Sequence, residues 1–210
     1  MDIEYKGGNC VVMSVKKHTI VVDPRLSEVG LKDQGSAATV QLATQPQFAA
    51  PHGSDTLVID GPGEYEVVNV SIRGISARAH MDGPDEPKKA TMYSVATEDI
   101  AVAIVGHVYP DLSEEQLEAL GVVDVLVVPV GGNGYTLDAT GAVELIRKID
   151  PKIIIPTHYA DAAINYPVPQ TELEVFVKEL GAAVETSNKL KLKAGDLGET
   201  LKVHHLNRVA

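Results

Sequence analysis

Three short, largely apolar runs, Ile100–Val105, Asp124–Val130 and Lys152–Pro156, are separated by two stretches whose apolar residues recur at helical spacing. Each run is rich in Val and Ile and is bounded by Gly, Pro or Asp. The segment Ile100–Tyr159 therefore predicts β-α-β-α-β. Continuous apolar runs alternating with helices require a sheet covered on at least one face. The runs end in Gly106-His107, in Gly131-Gly132-Asn133-Gly134-Tyr135 and in Thr157-His158-Tyr159. Adjacent strands would bring these ends to one edge, where ligands bind in sheets of this kind.

Ser113 and Gln116 have the spacing of a capping box, Leu117 and Leu120 supply an apolar face, and Gly121 stops that helix. A second helix is predicted from about Asp138 to Lys148, with Val143, Ile146 and Ile149 in step and Asp150-Pro151 ending it. Thr171 with Glu174 suggests another capping box, opening a helix that runs through Leu180 to Gly181.

The first half reads as β-structure. Ile3–Tyr5, Asn9–Val15, His18–Val22, Ala38–Ala43 and Leu57–Asp60 are strand-like, with Lys16-Lys17 as a hairpin turn. Arg25–Ser36 is expected to be a surface loop and Thr44–Asp55 a polar tract. Tyr65–Ala77 follows the turn Gly61-Pro62-Gly63, with Val68, Val70 and Ile72 alternating. His80-Met81-Asp82-Gly83-Pro84 ends that segment, and Asp85–Lys89 reads as a solvated loop. Thr91–Ala96 and Ile100–Val105 form a predicted hairpin across Thr97-Glu98-Asp99. The tail from Ala182 to Leu206 suggests two or three edge strands. Strands in two groups with helices outside predict an α/β fold, a four-layer αββα sandwich, as one domain over residues 1–210.

Charge narrows the partners. Eighteen basic against twenty-nine acidic residues give a formal charge of −11. Such a surface repels nucleic acid and anionic membrane unless a basic patch exists, and none is visible. Aromatic residues make up 4% with no Trp, too few for a base-stacking platform. Cys10 is the single cysteine, so no intramolecular disulfide and no thiolate cluster can form. The start, MDIEYKGGN, has neither a basic nor an apolar signal region, and no apolar run reaches membrane-spanning length. The expected location is cytoplasmic.

Of seven histidines, His18, His52, His204 and His205 read as ordinary polar residues, the last two facing opposite sides of a strand. His80, His107 and His158 differ, because each follows an apolar strand and precedes a loop. Three imidazoles meeting at a sheet edge would suit zinc, which accepts three protein ligands and keeps one position for water. Glu64 could serve as a general base, although a turn carboxylate is more often solvated. The Gly131–Gly134 loop could offer N–H groups to an anion, but lacks the spacing and Lys of a P-loop. Tyr135 and Tyr159 either line the pocket or pack beneath it.

Several motifs together resemble the metallo-β-lactamase superfamily. They are VVDP at 21–24, GPGEYEV at 61–67, His80 closing its strand, GHVYPDLSEEQLEALGVVDVLVVPVGG at 106–132, YTLD at 135–138 and PKIIIPTHY at 151–159. The branch most similar is that of zinc-dependent hydrolases of the β-lactamase fold, near the ascorbate-6-phosphate lactonases. The resemblance implies the αββα fold independently of the pattern. It also implies a metal motif T-H-x-H-x-D-H after an early strand. At that place this chain has Thr44-Gln45-Pro46-Gln47-Phe48-Ala49-Ala50, so Gln45 and Gln47 stand for the paired histidines, Ala49 for the aspartate and Ala50 for the last histidine. Gln is a poor zinc ligand and Ala none. The family's bridging aspartate is His107 here, and only His80 and His158 match family ligands.

Two functions remain open at this point. One is a hydrolase with at most one ion, Zn or Mn, on His80, His107 and His158, activating water against an ester, lactone or phosphodiester of a small molecule. The other is a catalytically inactive binding or assembly module that keeps the fold. Homo-oligomerisation through an unpaired C-terminal strand near Leu201–Leu206 is a further expectation.

Overall fold

The computed structural model describes residues 1–67, 69–81, 88–193, 195, 197–198 and 200–209. Val68, Asp82 and most of the run Asp85–Lys89 lie outside them.

Two sheets pack face to face. The six-stranded sheet contains β1 (Asp2–Gly7), β2 (Cys10–Val15), β3 (His18–Val22), β4 (Val40–Leu42), β5 (Leu57–Ile59) and β13 (Leu190–Lys191), in the order β13-β1-β2-β3-β4-β5. The eight-stranded sheet contains β6 (Gly63–Val67), β7 (Val70–Arg78), β8 (Lys89–Ala96), β9 (Ala101–Ile104), β10 (Val125–Pro129), β11 (Ile153–Thr157), β12 (Ala183–Ser187) and β14 (Lys202–Leu206), in the order β12-β14-β11-β10-β9-β8-β7-β6.

The predicted β-α-β-α-β unit is present. β9, β10 and β11 are parallel neighbours joined through α1 (Glu114–Leu120) and α2 (Ala139–Ile149). Every residue of β10 and β11 is buried, as strands covered on both faces must be. Ser113 closes the expected capping box with Gln116, and Asp138 caps α2 through Gly141 N–H. Ile20, Val22, Leu42 and Ile59 of one sheet share a core with Ile72, Met92, Val95 and Leu126 of the other. Tyr93 links the two: its hydroxyl donates toward the carbonyls of Ala43 and Ile59, each at 2.9 Å.

Four details depart from the pattern reading. The α/β sandwich is as expected, and the first departure lies in what covers the six-stranded sheet, where the segment read as a plain surface loop makes short 3₁₀ helices. β9-α1-β10 and β10-α2-β11 advance in one direction across the sheet, so crossovers of one hand place both helices on one side. The third helix, α3 (Leu173–Leu180), packs on α2. The outer face of the six-stranded sheet is covered instead by the Arg25–Ser36 loop, which makes 3₁₀ turns and buries Leu26 against Cys10, Val21 and Ala38.

Second, the α3 capping box does not form. The helix starts after Glu172 with no side-chain cap, because Thr171 pairs its backbone with Gly131 and Ala160 instead. Third, Tyr65–Ala77 is two antiparallel strands rather than one, turning near Asn69 at φ 64°. Fourth, the C-terminal strand is no edge: β14 sits between β11 and β12, parallel to both. The expected self-association edge at Leu201–Leu206 is therefore already paired, and β12 is the outer strand.

Candidate functional site

The edge holding the C-terminal ends of β9, β10 and β11 also receives the ends of β3 and β4 from the opposite sheet. Close approach is possible there because two glycines lack a side chain. A Cβ on Gly106, at φ 59°, would lie 2.6 Å from the Thr44 side chain. One on Gly131 would lie 2.0 Å from the His158 carbonyl oxygen and 2.3 Å from Gln170 Oε1. Behind this edge the carboxylate of Asp23 accepts from Thr44 N–H and Thr44 Oγ1, both at 2.7 Å. Burial pushes Asp23 up to about 7, with the two Thr44 hydrogen bonds opposing the rise.

His107 and His158 come together as the sequence predicts. Their ring centroids are 5.0 Å apart with the planes 85° to each other, at 6% and 3% exposure. Burial holds both imidazoles below their ordinary value, His158 at about 4 and His107 well below it, the latter helped by His158 and His80. Both rings are neutral at pH 7. His80 joins them through backbone, its N–H donating to the His107 carbonyl at 2.8 Å, while its ring is 6.3 Å from that of Tyr109. Asp23 does not hydrogen-bond these rings; its carboxylate accepts from Thr44.

The actual partners are Asn9 and Gln170. Asn9 Nδ2 lies 3.0 Å from His107 Nδ1, and Asn9 Oδ1 accepts from Thr157 Oγ1 at 2.9 Å. Gln170 Oε1 lies 3.0 Å from His158 Nδ1, and its amide is oriented by donation to the Val168 carbonyl. Around the histidines, Phe48 stacks on His107 at 4.8 Å and 28°, Tyr135 meets it edge-on at 5.4 Å, and Tyr166 lies 4.5 Å from His158. Gln47 Nε2 donates to Gln45 Oε1 at 2.9 Å, and Gln45 Nε2 to the Lys89 carbonyl at 3.3 Å. A cavity of about 250 Å³ is lined by Gln45, Gln47, Phe48, Met81, His107 and Tyr135 among others. A narrower one of about 60 Å³ adjoins it and is lined in part by His107 and His158.

Other sequence candidates fall elsewhere. Glu64 is on the outer strand β6, largely exposed and paired with Arg73 at 3.0 Å, and is not among the residues lining either cavity. The Gly131–Gly134 loop folds on itself, Gly132 N–H donating to Leu137 and Tyr135 N–H to Gly132. His204 and His205 do face opposite ways, toward Ser187 and toward the hydroxyl of Tyr159. Asn9, Phe48, Tyr166 and Gln170 were not foreseen as site residues. Only the turn signal Gly7-Gly8-Asn9 hinted that the chain doubles back there.

The two-sheet sandwich with an imidazole-bearing strand-end edge defines a metallo-β-lactamase-type fold. Residues 2–158 match the model of the beta-lactamase superfamily domain, and the chain belongs to that superfamily. A UPF0173 metal-dependent hydrolase of Thermoplasma acidophilum is 42% identical over 48 residues, 21% of each chain. One from Carboxydothermus hydrogenoformans is 35% identical over 69 residues, 31% of this chain and 28% of that protein. This chain thus matches about a quarter of those relatives' length. A solved structure from Thermotoga maritima, assigned as a Zn-dependent hydrolase of the metallo-beta-lactamase superfamily, superposes with TM-score 0.75 at 26% identity, covering 98% of both chains. The metallo hydrolase Igni18 of Ignicoccus hospitalis shares the fold, with TM-score 0.64 at 15% identity over 99% and 95% of the two chains.

The family implies a metal, so the donors present must be weighed. Among the described residues no three His, Cys, Asp or Glu side chains are grouped to hold an ion. Gln45 and Gln47 bond to each other, and a phenyl ring covers one face of His107. These residues do not fit the metal centre that the family implies.

Proposed function

We propose that this chain is a catalytically inactive member of its metal-dependent hydrolase family, a module that keeps the fold and binds a small molecule at the former reaction edge. The stacking of Phe48 on His107 carries the reading. Loss of ligands alone would leave an open polar pocket. Here the segment aligned with the metal motif has placed an aromatic ring against a neutral imidazole, a packed arrangement with its own stability. Among the described residues no carboxylate hydrogen-bonds to either ring, so none is held there to orient an attacking water.

A second reading, one Zn or Mn ion on His80, His107 and His158, is favoured by the neutrality of His107 and His158, which metal ligation requires. An activity panel separates the two. Esters, phosphodiesters and lactones, the last chosen for the resemblance to the lactonase branch, are offered with added Zn²⁺ or Mn²⁺. The module gives no turnover above the buffer rate; turnover that His107→Ala abolishes supports the hydrolase instead.

A further inference from the structure

The two central histidines are held in opposite tautomers. Gln170 Nε2 donates to the Val168 carbonyl, so its Oε1 faces His158 Nδ1 as an acceptor. His158 therefore carries its proton on Nδ1 and leaves Nε2 as a lone pair. At His107 the order is reversed. The hydroxyl of Thr157, fully buried, makes one side-chain hydrogen bond among the described residues, donation to Asn9 Oδ1. Turning the Asn9 amide over would leave that hydroxyl hydrogen without an acceptor, which is costly in a dry site. Asn9 thus presents Nδ2–H to His107 Nδ1, and the neutral ring keeps its proton on Nε2. That Nε2 is buried and has no hydrogen-bond partner among the described residues.

A metal would need lone pairs on both rings, whereas this pair, with ring centroids 5.0 Å apart, supplies one N–H and one lone pair. We propose that the edge at His107 and His158 binds a small uncharged ring carrying a cis-amide, its carbonyl oxygen accepting from His107 Nε2–H and its N–H donating to His158 Nε2. A carboxylate would satisfy His107 but place a second acceptor against His158. The aromatic walls, Phe48 and Tyr135, favour a planar ring. Both histidines line the narrower cavity of about 60 Å³, which shares Phe48, His107 and Tyr135 with the adjoining one of about 250 Å³, and this space suits one ring rather than a nucleotide. This inference rests on the binding-module reading and adds the class of ligand.

The test uses the full chain with 2-pyridone as the probe, N-methyl-2-pyridone and benzoate as comparisons, and NMR of the histidine ring nitrogens. The expected spectrum shows His107 protonated at Nε2 and His158 at Nδ1. 2-Pyridone should bind and shift both rings, and N-methyl-2-pyridone should bind about tenfold more weakly, the loss expected for one buried hydrogen bond. Asn9→Asp, which accepts from Nδ1–H and moves the His107 proton, should weaken 2-pyridone by at least about tenfold. Should that variant fail to fold, the comparison of the two pyridones on the native chain still decides. A native His107 protonated at Nδ1, equal binding of the two pyridones, or tighter binding of benzoate overturns the proposal. Those results leave the question of catalysis untouched, whereas metal-dependent turnover would overturn the module reading with the tautomers still open to measurement on metal-free protein.

Discussion

Phe48 lies against His107 with ring centroids 4.8 Å apart and 28° between the planes, although 58 residues and two sheets separate them before His107 is reached along the chain. The contact joins the Thr44–Ala50 segment of one sheet to the strand end of the other that carries His107. Removing the ring should therefore cost packing without restoring chemistry. Phe48→Ala is expected to lower the unfolding free energy by about 1–3 kcal/mol, less than a fully buried Phe because this one is only partly covered. Urea denaturation measures the loss. Metal content should not rise, since Gln45, Gln47, Ala49 and Ala50 remain; an ion taken up by the variant would contradict this account.

Gly131 and Gly134 sit in one loop but answer to different constraints. A Cβ at Gly131 would collide with the His158 carbonyl and Gln170 Oε1, whereas Gly134 has open space and only its φ of 75° to strain a side chain. Gly134→Ala should cost about 1 kcal/mol. Gly131→Ala should cost about 1–3 kcal/mol and perturb the His158 ring signals. Thermal melts and NMR of the two variants check the order; equal effects would mean that the strand ends are looser than the contacts show.

Asp23 gives a pH dependence of one sign. Its folded pKa of about 7 stands above the ordinary carboxylate value, so the native state binds the extra proton. Stability from this group is full below about pH 4 and is lost as pH rises through 7. Asp23→Asn, which can accept from Thr44 N–H and donate to Thr44 Oγ1, should remove that decline. Relative to the native chain it should gain on the order of a few kcal/mol between pH 4 and 8. Chemical denaturation across that range is the measurement, and parallel curves for the two proteins would contradict the assignment.

His158 should work in the opposite direction. Its folded pKa of about 4 is below the ordinary imidazole value, because the buried ring resists charging. The stability it contributes is full above about pH 6.5 and is lost as pH falls toward 4. His158→Gln should flatten the acid side of the profile, and a double variant with Asp23→Asn should show both changes added, the two groups having separate hydrogen-bond partners.

Much of the fold could be read from the chain because its strongest signals are local. β10 and β11 are continuous apolar runs, and Ser113 with Gln116 caps α1 from within one turn. What escaped depended on remote pairing. Nothing near Lys202 or Val203 announces that they lie beside Ile153 and Ile154 and so make β14 an interior strand. Thr171 has the right spacing to cap α3, yet its backbone is taken by Gly131 and Ala160. The site divides the same way. His107 and His158 could be placed at one edge because each ends a parallel neighbour. Asn9, which sets the proton position on His107, reaches it across 98 residues of sequence from the opposite sheet. Nothing in the run Gln45-Pro46-Gln47 announces that Phe48 lies against His107.

Metal analysis of the chain purified without chelator, alongside His158→Ala, tests the central claim most directly. The account predicts far less than one ion per chain in both proteins, even after incubation with excess Zn²⁺ or Mn²⁺ and desalting. A near-stoichiometric ion in the native chain that disappears in His158→Ala would contradict it and return the edge to metal chemistry.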